Sequence, residues 1–169
     1  MTKCSRYLVY AKKIPGWGWV WVETTPKGVC KIGLEGPPSK CRTLAPDTLA
    51  RKALRQIEQY LKKDHQLKLR IHLNEGTPFQ RQVWQALQKI PYGETRSYKW
   101  VAQKIKKPKA LRAVGQACGA NPLPLVIPCH RVVASSGKIG GFSAPLRWKH
   151  RLLSLERWGL LGGAARRSP

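Results

Sequence analysis

The sequence predicts an α/β (α+β) fold: a small N-terminal β-sheet-plus-helix domain, then a mostly helical C-terminal domain with a helix-turn-helix. Three observations predict it. Short β-rich runs broken by turn residues fill the first third of the chain. After Pro78, apolar residues recur at three- and four-residue spacing. Charge divides at the same place. Residues 1–77 carry 15 basic and 6 acidic side chains, and residues 78–169 carry 17 and 2. The boundary therefore falls at Gly76-Thr77-Pro78, between a supporting domain, 1–77, and a second domain, 78–169, that faces an anion.

In the first domain, Tyr7-Leu8-Val9-Tyr10, Gly18-Trp19-Val20-Trp21-Val22 and Gly28-Val29-Cys30-Lys31-Ile32-Gly33-Leu34 read as strands. Pro15-Gly16 and Pro26-Lys27-Gly28 are the turns between them. Asp47 reads as the N-cap of a helix to about Lys63, with Leu49, Ala53, Leu54, Ile57, Tyr60 and Leu61 on its buried face. Leu67, Leu69, Ile71 and Leu73 alternate and predict a further strand. Trp17, Trp19 and Trp21 fit core or sheet face better than a base-stacking platform.

In the second domain, Thr77 caps a helix with Pro78 at its first position, running to about Ile90. Phe79, Val83, Ala86, Leu87 and Ile90 mark its inner face, and Pro91-Tyr92-Gly93 ends it. Ser97 caps a helix from Tyr98 to Ile105, and Lys106-Lys107-Pro108-Lys109 turns the chain into a helix from Ala110 to Gly119. A last helix runs from Pro145 to Trp158, and residues 162–169 are expected to be a mobile basic tail.

Composition narrows the function. The 169 residues carry a net charge of +24 and are 42% hydrophobic. A packed core is expected, and so is a polyanionic partner, with nucleic acid ahead of an acidic membrane surface. No apolar run approaches the ~20 residues of a spanning helix, which excludes that class. Met1 to Arg6 has no apolar signal core, so secretion is not expected. Cys4, Cys30, Cys41, Cys118 and Cys129 are odd in number and not closely paired, which points to a reducing cytoplasm.

The helix 110–119 is unusual for a major-groove reader, because it is built from alanine and glycine. Gly115 at mid-helix costs ~1 kcal/mol relative to alanine. Either a tight helix–helix contact or close approach to the minor groove would offset that. The single long side chain, Arg112, favours the second, since a guanidinium could fill the hole left by an extruded nucleotide.

Asn121-Pro122-Leu123-Pro124-Leu125-Val126-Ile127-Pro128-Cys129-His130-Arg131-Val132-Val133 carries the chemistry. Its prolines stiffen an apolar approach to a Cys-His pair. His130, Arg131 and nearby lysines could favour a Cys129 thiolate. A histidine next in sequence points elsewhere, so any relay to the thiol would need a bridging water. Glu156, a rare acid in this half, is a candidate orienter of His130, or a partner for Arg151 or Arg157.

This stretch, with Ser136-Gly137 and Gly140-Gly141-Phe142-Ser143 after it, resembles the O6-alkylguanine-DNA alkyltransferase (methylated-DNA–protein-cysteine methyltransferase) family. Phe79-Gln80-Arg81-Gln82-Val83-Trp84, Pro91-Tyr92-Gly93-Glu94-Thr95 and Arg112-Ala113-Val114-Gly115 match it in order. The similarity is strong over about 77–158 and weak before it. It implies direct DNA repair: Cys129 accepts, irreversibly and once, the alkyl group of O6-alkylguanine, with O4-alkylthymine as a second candidate substrate. The implied relay runs from Glu156 through His130 and a water to Cys129. Tyr98 would support the flipped nucleotide and give a proton to the departing guanine. Asn121 would brace the turn, and Arg112, with Ala113 and Gly115, would engage the DNA. Pro124, Val132, Phe142 and Ser143 would form the base pocket.

Related lesion-binding proteins without repair activity have tryptophan at the cysteine position, whereas this chain keeps Cys129. A lesion-sensing DNA-binding module is the alternative reading, and a Cys-His thiol hydrolase ranks third. No cofactor is expected. Some family members hold a structural zinc, but Cys4, Cys30, His65 and His72 show no standard zinc spacing. The expected partner is double-stranded DNA containing O6-alkylguanine, met by a monomer with no membrane association.

Overall fold

The computed structural model describes residues 8–36, 48–63, 67–136, 139 and 142–164. The chain forms two compact units, Met1–Glu75 and Gly76–Pro169.

In the first unit, β1 (Leu8–Ile14), β2 (Gly18–Thr25) and β3 (Gly28–Gly33) make an antiparallel sheet in the order β1-β2-β3. The β1–β2 register runs unbroken from Leu8 opposite Thr24 to Ile14 opposite Gly18, and the β2–β3 pairing carries a bulge at Glu23/Thr24. Tyr10, Ile14, Val20, Val22 and Ile32 are buried, as are Ala53, Leu54, Ile57, Tyr60 and Leu61 of α1 (Thr48–Lys63). Full burial of a Leu or Ile side chain contributes about 1.5–3 kcal/mol. The Asp47 cap lies outside the described residues.

One expectation changes here. Leu67 to Leu73 alternate half-buried and exposed through Ile71, yet they form no regular strand. A single parallel bridge joins Val29 to Ile71, held by Val29 N–H to Arg70 O (2.9 Å) and His72 N–H to Val29 O (2.8 Å). Alternation reports which side is covered and does not ensure a ladder. The tryptophans also divide: Trp21 is buried, Trp17 half-buried, and Trp19 45% exposed.

In the second unit, α2 (Pro78–Leu87) starts at a capping box. Thr77 Oγ1 accepts from Gln80 N–H, and Gln80 Oε1 accepts from Thr77 N–H. The helix stops at Leu87, three residues before the expected end, and Ile90 stays buried in the following turn. Gly76 (φ +97°) lies against the Trp84 ring, where a Cβ would come within 2.4 Å of it. The Trp84 indole N–H donates to Ala117 O at 2.8 Å, tying α2 to α4 (Leu111–Gly119).

The capped helix α3 (Tyr98–Lys104), a turn through Lys106 (φ 59°), and α4 form the expected helix-turn-helix. Ser97 Oγ accepts from Trp100 N–H at 3.1 Å. The last helix, α5 (Leu146–Ala164), continues past Trp158 into the expected tail. No proline interrupts it there, and glycine weakens a helix without forbidding it. The rest of that tail, 165–169, lies outside the described residues.

Candidate active site

A short parallel ladder positions the site. β4 (Arg96–Ser97) pairs with β5 (Val132–Val133), Arg96 opposite Val132 and Ser97 opposite Val133. It sets Tyr98, at the start of α3, beside the chain leaving Cys129. Two-residue strands carry no periodicity, so nothing in the sequence announced them.

The approach to Cys129 is held in an unusual backbone. Leu125 has φ 76°, a left-handed conformation that costs a branched residue on the order of 1–3 kcal/mol. Pro128 (φ −78°, ψ 63°) sits in an inverse γ-turn closed by Cys129 N–H to Ile127 O at 2.8 Å. Asn121 holds both ends of this loop. Its Oδ1 accepts from Leu123 N–H at 3.0 Å, and its Nδ2 donates to Ile127 O at 2.8 Å and to Cys129 Sγ at 3.1 Å. Ser143 Oγ lies 3.8 Å from the same sulfur.

Cys129, His130 and Arg131 form one buried 3₁₀ turn, so successive side chains diverge. His130 Nε2 lies 2.7 Å from Glu156 Oε1. Its Nδ1 is buried with no hydrogen-bond partner in the protein. Arg131 turns away from the thiol and clamps Glu156 through Nε (2.9 Å to Oε2) and a terminal nitrogen (2.9 Å to Oε1). Its other terminal nitrogen donates to Ile90 O at 2.8 Å, and its guanidinium lies over the Tyr92 ring. Gly93 N–H also donates to Glu156, at 3.0 Å. Glu156 thus orients His130 as expected, while its cationic partner is Arg131 rather than Arg151 or Arg157.

Protonation follows from these contacts. Burial pushes the Cys129 thiol above its ordinary pKa, against the opposing pull of Asn121, Ser143 and Lys149. Neighbouring cations do not prevail at this thiol: Arg131 is engaged by Glu156, and burial outweighs the pull toward thiolate. Burial lowers the His130 pKa more than Glu156 raises it, leaving the imidazole neutral and able to accept a proton. Burial alone would raise Glu156, but His130 and Arg131 hold it at about 2.

Lys149 is fully buried on the same face of α5 as Glu156, two turns earlier, donating to Val132 O at 2.6 Å. Its Nζ lies 5.9 Å from the Tyr98 ring centroid, and burial lowers its pKa. Sequence reasoning missed it. Its spacing of 3 and 7 residues from Leu152 and Glu156, both buried, carried the signal.

A groove of about 660 Å³ is lined by Tyr98 and Lys99 of α3, by Leu111, Arg112, Gly115 and Gln116 of α4, and by Ala134 and Ser135. Tyr98 links groove and thiol: burial, with the nearby Cys118 and Cys129 thiols, raises its pKa to about 12, so its hydroxyl keeps its proton. Ala113 is half-buried and not among the residues lining the groove. Pro124 and Val132 are buried, and Phe142 is half-buried. Cys118 is buried, with a pKa raised by burial to about 12. A Cβ built on Gly115 meets nothing within 4 Å, so this glycine does not serve a helix–helix contact.

Among the described residues, no group of three or more His, Cys, Asp or Glu side chains could hold a metal. Cys30 donates to Glu23 O, His72 contacts Thr25, and Cys4 and His65 lie outside the described residues.

The model of the 6-O-methylguanine DNA methyltransferase DNA-binding domain matches residues 78–158. A methylated-DNA–protein-cysteine methyltransferase of Methanosarcina barkeri is 50% identical over 109 residues, 63% of this chain and 67% of that protein. The solved Mycobacterium tuberculosis O6-methylguanine methyltransferase is 31% identical, with a TM-score of 0.76 over 96% of this chain and 95% of that one. The chain belongs to the methylated-DNA–protein-cysteine methyltransferase family.

Another solved relative is the Mycobacterium tuberculosis OGT in complex with DNA, 33% identical with a TM-score of 0.77 over 89% of this methyltransferase-family chain and 93% of that one. Sequence matches to curated relatives span from 43% to 68% of their length.

Proposed function

We propose that this methyltransferase-family protein repairs O6-alkylguanine in double-stranded DNA by moving the alkyl group onto Cys129. The carrying observation is a buried thiol held by Asn121, followed in the chain by a buried histidine whose Nε2 meets a clamped carboxylate. The Cys129 proton passes through a water to His130 Nδ1, and Glu156 stabilises the imidazolium. The sulfur–carbon bond forms as the O6–carbon bond breaks. Tyr98 gives a proton to the departing guanine, and the proton held on His130 passes through water to restore the Tyr98 hydroxyl. The products are S-alkylcysteine and guanine. A thioether has no easy leaving path, so each chain reacts once.

Arg112 enters the stack in place of the flipped nucleotide. Pro124, Val132, Phe142 and Ser143 surround the base, and Lys149 holds the Val132 carbonyl and the Tyr98 ring in place. The protein acts as a monomer in a reducing cytoplasm, away from membranes and without a cofactor. Free thiols at Cys30, Cys118 and Cys129 suit that compartment.

Intact-mass analysis with excess O6-methylguanine duplex is expected to show one added methyl per protein, mapped to Cys129 and absent from Cys129→Ala. Tight lesion binding without mass gain would make the protein a lesion sensor instead.

Gly115→Ala is expected to stabilise the fold by up to ~1 kcal/mol, since its Cβ meets open space and alanine favours helix. The same methyl should hinder close approach of DNA and slow duplex repair. Thermal unfolding and single-turnover transfer check the pair. Lower stability would return Gly115 to a packing role.

A further inference from the structure

The groove beside Arg112 holds an apolar side chain that the proposed chemistry does not use. Leu111 is 46% exposed in the first turn of α4. It lines the groove with Tyr98, Arg112, Gly115 and Gln116. Residues 111, 112, 115 and 116 form one outward face of the helix. An exposed leucine adds nothing to the core, and Lys99 and Arg112 line the same groove, in a half of the chain that carries 17 basic and 2 acidic side chains.

We propose that Leu111 is a second wedge, packing in the minor groove of duplex DNA against the nucleotide that adjoins the gap filled by Arg112. The inference rests on the proposed base-flipping reading and extends it. Continuity with Arg112 and charge complementarity select the occupant, because the phosphates meet the basic surface while deoxyribose and base edges meet the leucine. Minor-groove proteins insert apolar side chains at base steps in this way and unstack them. The division of labour is physical. A guanidinium replaces the hydrogen bonds of the lost base, whereas an alkyl group replaces its stacking contact.

The test is 2-aminopurine placed beside O6-methylguanine in a duplex, with fluorescence read on binding. Wild-type protein should brighten the probe, and Leu111→Ala should lose most of that gain. Leu111→Met should keep it. Leu111→Lys should lose it although the added charge tightens salt-sensitive binding. In single-turnover transfer, Leu111→Ala should lower the duplex rate about tenfold, and the rate with free O6-benzylguanine far less. Equal brightening by wild type and Leu111→Ala, or a Leu111→Lys variant that brightens like wild type, would overturn the wedge. Fluorescence reports stacking whether or not transfer follows, so failure of the wedge and failure of the chemistry are separable.

Discussion

Glu156→Gln is expected to lower folding stability by about 3–5 kcal/mol and to suppress alkyl transfer. The carboxylate is 1% exposed and meets His130, the Arg131 guanidinium and Gly93 N–H. Glutamine keeps the shape but removes the charge, leaving buried Arg131 uncompensated. It also leaves the His130 imidazolium without its counter-charge when the thiol proton arrives. The pH dependence has a definite sign. Glu156 is held at about 2, against ~4.3 for an unfolded glutamate. Its contribution is therefore present above ~4.3 and is lost as pH falls towards 2. His130 adds to acid sensitivity, because burial lowers its pKa and the unfolded chain takes up the proton first, below ~6.5. Urea unfolding of both proteins at pH 7 and near pH 2 checks this. The gap between them should narrow in acid. A gap unchanged with pH would mean that the carboxylate charge is not what holds the cluster.

Arg112→Ala should slow transfer from duplex DNA by about 100-fold and from a free O6-alkylguanine base far less. Flipping costs a few kcal/mol in lost pairing and stacking, and an unfilled gap returns that cost to the barrier. A loss of about 3 kcal/mol corresponds to roughly two decades in rate. Arg112 is exposed on the groove face of α4, so its removal leaves the fold intact. Single-turnover rates on the two substrates decide the matter. Equal loss on both would place Arg112 in the chemistry rather than in the DNA.

Much of the fold is legible because it rests on local rules. Thr77 and Pro78 announce the start of α2, Ser97 announces the start of α3, and the apolar spacing of α1 announces its buried face. Gly115 is legible as an anomaly, but only the open space around its Cβ separates the two explanations for it. Alternation from Leu67 to Leu73 predicts a strand, and a single bridge forms, because pairing needs a partner edge that local pattern does not supply.

The site divides along the same line. The Pro-Cys-His-Arg string, Asn121, Tyr98, Arg112 and Glu156 are local identities, so their order carries the family resemblance, and that resemblance names a candidate nucleophile and candidate helpers. Their pairing is not local. Arg131 reaches Glu156 across 25 positions, and Lys149 reaches the Val132 carbonyl across 17. Burial then sets protonation, keeping the Cys129 thiol protonated and His130 neutral. Desolvation and charge pairing depend on which groups meet in three dimensions, so only packing decides them.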